Sequence, residues 1–108
     1  MDQELKKDEG KLRWDLLPFS CVEGTVAVLT FGAKKYRDNG WKELMKTQDG
    51  ENRVRASLLR HYFKIAEEGI GSIDEESGLF HVDHLACNVM FLKYRQLWLQ
   101  ENHVQPTE

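Results

Sequence analysis

The sequence predicts an all-α chain, an antiparallel bundle of three main helices completed by oligomerisation. Three observations predict it. Three long stretches carry apolar residues at helical spacing, β alternation never survives more than a few residues, and only two prolines interrupt 108 residues. The whole chain, 1–108, reads as a single domain. Residues 1–10 are mostly charged and read as flexible, 11–100 form the helical core, and 101–108 form a flexible tail.

The first helix is expected from Pro18 to about Arg37. Pro18 suits an opening turn and Ser20 a cap, and Val22, Val26, Leu29 and Ala33 share one face. Residues 37–50 hold two turn signals, Asn39-Gly40 and Asp49-Gly50, around a short amphipathic piece. The second helix is expected from Glu51 to Glu68, with Val54, Leu58, Tyr62, Ile65 and Ala66 as its core stripe and Gly69 as its stop. An acidic connection follows, in which Ser77 reads as a helix cap. The third helix is expected from about Leu79 to Gln100, with a seam of Val82, Leu85, Val89 and Leu92. Met90, Phe91 and Leu97 lie off that seam, so the helix is apolar over too wide an arc for a lone chain, and a dimer or tetramer is expected.

Composition narrows the function. A net charge of −3 offers no global basic field for a long nucleic acid. No apolar run approaches the ~18 residues of a membrane span, and MDQELKKDEG contains no signal-peptide core. Cys21 and Cys87 sit in apolar helical patterns and read as buried thiols of a cytoplasmic protein.

Chemistry concentrates on two helix faces. On the third helix His81, His84 and Asn88 fall within about 60° of one another, while Asp83 points nearly the other way. On the second, Ser57, His61, Lys64 and Glu68 share a face, and antiparallel packing would bring His61 to the histidine group. The structural alternative is a pair of satisfied core-edge histidines beside a solvated Lys64–Glu68 pair. Glu67, Glu68, Asp74, Glu75 and Glu76 supply carboxylates of the kind hard cations prefer. Eleven of the fifteen lysines and arginines lie between Lys11 and Lys64, and none between residues 65 and 92. Lys11, Arg13, Lys34, Lys35 and Arg37 interleave with Trp14, Tyr36 and Trp41, a pattern suited to a small phosphorylated, ring-bearing ligand. Core or subunit-interface aromatics are the alternative for Trp14 and Trp41.

The blocks KLRWDLLP, FGAKKYRDNGW, LLRH and DEESGLFHVDHLACNVMFL resemble the signature of a phage-associated family, the dATP/dGTP diphosphohydrolase N-terminal domain. The resemblance covers roughly residues 11–94. It implies an all-α fold akin to the MazG-type pyrophosphohydrolases, which split a nucleoside triphosphate into monophosphate and pyrophosphate with Mg²⁺ held by helix carboxylates. By matching position, Lys11, Arg13 and Asp15 stand in the first block, Lys34, Lys35 and Tyr36 in the second, and Arg60 with His61 in the third. Glu76, Ser77, His81, His84 and Asn88 stand in the last. The MazG-type ExxE and ExxD spacings are missing here.

Together these readings give an expected mechanism. His61, His84 and Glu68 are the expected catalytic groups, since histidine titrates near neutral pH and a carboxylate can hold the attacking water. Glu68, Glu76, His81 and His84 are the expected Mg²⁺ ligands. Lys11, Arg13, Trp14, Lys34, Lys35, Tyr36, Trp41, Arg60, Lys64 and Asn88 are expected to bind a (deoxy)purine triphosphate. The rival is a non-catalytic phage protein of the host cytoplasm that sequesters a nucleotide second messenger of host defence.

Overall fold

The computed structural model describes residues 9–103, so most of the segments expected to be flexible, 1–10 and 101–108, lies outside the described residues. All long elements are helices: α1, Glu23–Lys35; α2, Gly40–Leu44; α3, Gln48–Glu68; and α4, His81–Glu101. Two short 3₁₀ turns, Trp14–Leu16 and Phe19–Cys21, precede α1. The expected all-α class is therefore observed. One isolated antiparallel bridge, Ile73 with Phe80, pinches the loop before α4. None of the described helices is long and apolar enough to cross a membrane.

Local chemistry explains most boundaries. The α3 helix begins earlier than Glu51 because Thr47 caps it, its hydroxyl oxygen accepting from the Gly50 amide at 2.9 Å. Asp49 and Glu51 add negative charge to that first turn, which complements the helix dipole. Asp49-Gly50 is thus the first turn of a helix, not a reversal of the chain. Gly50 is needed there for space, because a Cβ would overlap the Leu44 carbonyl at the α2–α3 corner. Gly69, at φ +103°, ends α3 where expected. The α1 helix starts five residues after Pro18, with Val22 at its N-cap and no side-chain cap bond, so Ser20 does not play the expected role. Cys21 is exposed in the turn before α1, whereas Cys87 is buried.

The α3–α4 seam carries the main departure from the expected core. His61 meets His81, Ser57 meets Asn88, and Glu51 meets Arg95, so one helix descends as the other rises and the pair is antiparallel. The buried α4 positions of this ladder, 81, 88 and 95, are all polar and recur every seven residues. Of the apolar seam expected on α4, Val82, Leu85 and Leu92 are half-buried and Val89 is exposed; on α3 the expected core residues Tyr62 and Ala66 are exposed as well. Buried apolar side chains among the described residues are few: Met45, Val54, Cys87 and Leu99. The radius of gyration, 17.1 Å, exceeds the ~13 Å typical of a compact chain this long. The α1 helix packs on α4 and makes little contact with α3, so the three helices stand open around a cleft.

Candidate functional site

The cleft measures about 1100 Å³ and is floored by α4, walled by α1 and α3, and closed at one end by α2. At its inner end Ser57, His61, Asp74, Glu76, His84 and Asn88 converge. Toward α2 stand Arg37, Trp41, Lys42 and Tyr94, while Lys35 reaches Glu76 beside the imidazole group. Trp41 stacks on Phe91 at 4.5 Å and meets the edge of Tyr94 at 5.0 Å, which anchors α2 to α4. The Lys42 ammonium lies near both the Trp41 and Tyr94 rings, at 5.7 and 5.9 Å.

The loop between α3 and α4 delivers the carboxylate. Asp74 donates its amide to the Leu79 carbonyl and accepts from the Gly78 amide at its own carbonyl, both at 2.8 Å, and Gly78 adopts φ +74° to make the turn. The Asp74 carboxylate in turn accepts from the Ser77 amide at 2.9 Å and from the Ser77 hydroxyl at 2.8 Å. Ser77 is therefore a clamp on Asp74 and not the expected cap of α4. Its single hydroxyl proton goes to Asp74, so His84, 2.7 Å away through Nε2, donates to Ser77 and keeps a bare lone pair on Nδ1.

The three histidines form one cluster. His61 and His81 face each other through their Nδ1 atoms at 2.8 Å, and His61 lies parallel to His84, with ring centroids 4.5 Å apart and planes 7° from parallel. Burial holds His61 down to a pKa of about 4, and the neighbouring His84 and His81 rings lower it further against the pull of Asp74. Burial also lowers His84, with Asp74 opposing. Burial alone would raise Asp74, but the Ser77 hydrogen bonds and the imidazoles outweigh it and leave the carboxyl below its usual value. At neutral pH the site thus holds neutral His61 and His84 rings beside an ionised carboxylate.

The expected site residues divide between the cleft and the outer surface. His61, His84, Asn88, Glu76, Lys35, Tyr36 and Trp41 line the cleft, and His81 stands behind His61. Glu76 is drawn to Lys35 at 2.8 Å across the cleft. Glu68 pairs with Lys64 at 3.3 Å on the exposed last turn of α3, and neither lines the cleft. Lys11, Arg13, Trp14, Lys34 and Arg60 are exposed outside it, with Arg13 paired to Asp15. Sequence reasoning passed over Tyr94 and Lys42, although Asn88, Phe91 and Tyr94 at three-residue steps continue the His84 face. The Mg²⁺ expected from the resemblance calls for oxygen donors, whereas the donors that converge here are two imidazoles and one carboxylate. Mg²⁺ as a resident ion therefore does not suit the cluster.

Fold and cleft define a class: a small helical protein with a ligand-sized hollow lined by cations, aromatic rings, imidazoles and carboxylates. The chain belongs to the family described as dATP/dGTP diphosphohydrolase, N-terminal, whose model matches residues 1–104. It is 30% identical over 98 residues to a protein of Salmonella phage PMBT28 named dATP/dGTP diphosphohydrolase, an overlap covering 91% of this chain and 30% of that relative. This chain thus spans less than a third of the relative's length. No solved structure matches.

Proposed function

We propose that the cleft binds a (deoxy)purine nucleoside triphosphate and that the domain hydrolyses it to the monophosphate and pyrophosphate. The observation that carries this reading is that one ~1100 Å³ cleft is lined by cations and aromatic rings, Arg37, Lys42, Trp41 and Tyr94 toward α2 and Lys35 nearer the loop before α4, together with the neutral imidazoles of His61 and His84. The phage relative's name, dATP/dGTP diphosphohydrolase, supports the substrate class. In this reading Lys35, Arg37 and Lys42 bind phosphate oxygens and Trp41 or Tyr36 stacks the base. His84, neutral at pH 7, takes a proton from a water that attacks the α-phosphorus. The α-phosphorus–oxygen bond then breaks, and pyrophosphate leaves with the electron pair. Mg²⁺ enters only as the companion of the triphosphate. Sixteen exposed large apolar side chains among the described residues, Tyr62, Phe63 and Val89 among them, support assembly into a homo-oligomer.

Purified protein incubated with each dNTP and Mg²⁺ is expected to release pyrophosphate from the purine substrates, and folded protein releasing none from any of the four defeats the enzymatic reading. Trp41→Ala is expected to weaken nucleotide binding roughly 2- to 10-fold by calorimetry, the value of one aromatic stack. A second reading, a protein that sequesters a nucleotide second messenger of host defence without cleaving it, draws on two observations. The cleft lacks the paired helix carboxylates of MazG-type enzymes, and the chain corresponds to only 30% of its named relative. Heat-released ligand separates the two readings: a sequestering protein returns it intact, an enzyme returns product.

A further inference from the structure

We infer that His61, His81 and Asp74 form a binding site for a divalent first-row transition ion of the Zn²⁺ class. One nitrogen from each imidazole and one carboxylate oxygen lie within 4.8 Å of one another, and among the described residues this is the group of three metal-ligating side chains that converges. The three come from separate elements: the middle of α3, the loop before α4, and the first residue of α4. Each is held in place before any ion arrives. His81 is buried, Asp74 is clamped by Ser77, and the His61 ring is backed by the parallel ring of His84.

The donor chemistry selects the ion. Imidazole nitrogens suit Zn²⁺, Fe²⁺, Ni²⁺ and Cu²⁺, whereas Mg²⁺ and Ca²⁺ take oxygens. Two histidines and one carboxylate make up a three-ligand set of the kind that leaves an open coordination position. The 2.8 Å contact between the two Nδ1 atoms requires that one ring carry a proton and the other a bare lone pair. An ion would take the place of that shared proton, and at a tetrahedral centre with ~2.0–2.1 Å metal–nitrogen bonds the two nitrogens need part by only about half an ångström. His61 and Asp74 line the cleft while His81 lies behind them, so an ion enters from the cleft side. His84 stays outside the set: its Nε2 is committed to Ser77, and it is not among the side chains whose donor atoms converge. The inference does not depend on the nucleotide reading.

The test uses the tag-free 108-residue chain, stripped with chelator and titrated with Zn²⁺ alone, without nucleotide. One Zn²⁺ per chain and a raised melting temperature are expected, with Mg²⁺ failing to compete at equal concentration. Losing a ligand should cost more than the ~10- to 100-fold typical of outer-shell changes, so His61→Gln and His81→Gln are each expected to weaken Zn²⁺ affinity by over 100-fold. Cys21→Ser is expected to leave it unchanged, which sets aside the exposed thiol. Because a variant at the buried His81 can fail to fold, ring-nitrogen NMR of the unaltered chain provides the second readout. Zn²⁺ should move the His61 and His81 ring signals and leave His103 in place. Absence of Zn²⁺ binding, binding that leaves the His61 and His81 signals unmoved, or full affinity in a folded ligand variant would each overturn the inference. Any of these leaves the triphosphate reading standing, and a positive Zn²⁺ result with no pyrophosphate release leaves this one standing.

Discussion

The two ends of the α3–α4 seam contain the same kind of anomaly, buried polar side chains, and resolve it differently. At one end Arg95 is closed in by acceptors: Glu51 at 2.9 Å, the Met45 carbonyl at 3.3 Å and Gln48 at 3.5 Å. Each nitrogen of its guanidinium has an acceptor, and the group ties α4 to the α2–α3 corner. At the other end His61, His81 and Asp74 bring lone pairs together around a point where one shared proton is all that separates two nitrogens. Asn88 and Ser57 divide the two ends with a single 3.3 Å bond. Burial of polar groups alone therefore does not set the two ends apart; what differs is that every guanidinium nitrogen of Arg95 has its acceptor, whereas His61 and Asp74 line the cleft.

The largest expected effect breaks the closed end. Arg95→Ala leaves Glu51 without its buried partner and should cost about 3–5 kcal/mol, visible as a large fall in melting temperature. Zn²⁺ affinity of the remaining folded fraction should hold, since the open end shares no partner with Arg95. Equal loss of both would show the two ends to be one unit.

A smaller effect belongs to the open end. A folded imidazole held below its unfolded value takes up its proton later than the unfolded chain does. In chelator-treated protein, stability is therefore whole above the ordinary histidine value of 6.5 and is lost as pH falls toward about 4. His61 is only half-buried, so solvent screens the effect and the loss should be about 1–2 kcal/mol. His61→Phe should flatten the melting temperature against pH in this window, while Arg95→Ala should lower the curve without changing its slope.

The smallest effect lies outside both ends. Lys64→Ala breaks the exposed pair with Glu68 and should change stability by only ~0.3–0.5 kcal/mol, with nucleotide and Zn²⁺ binding unaltered. A measurable loss of either ligand would return Lys64 and Glu68 to the site.

Legibility in the sequence followed distance along the chain. The angular grouping of His81, His84 and Asn88, and the approach of His61 to them, could be read from helical spacing and an antiparallel turn. Glu68 could not be placed by the same method. It shares the His61 face but sits two turns further on, at the end of α3 where the chain leaves the cleft. The arm carrying Lys11, Arg13 and Trp14 looked like part of a phosphate site because its composition is right, yet its side chains stand exposed outside the cleft. Asp74 stood among five acidic residues with nothing local to single it out. Its selection depends on Ser77, Gly78 and Leu79 folding back on it.

By itself the sequence determined the helices and which side chains share a face on each, because periodicity, caps and stops act within a few residues. It also determined the sharp inventory of imidazoles, cations and aromatics from which a site could be made. Only the tertiary structure decided that the fully buried α4 positions facing α3 would be the polar ones, 81, 88 and 95, while Val89 of the apolar stripe stays exposed. It alone selected Asp74 from the acidic loop, and it set α1 apart from α3 so that a cleft opens. Those choices rest on distances between elements remote in the chain, which are settled by how all the helices pack at once.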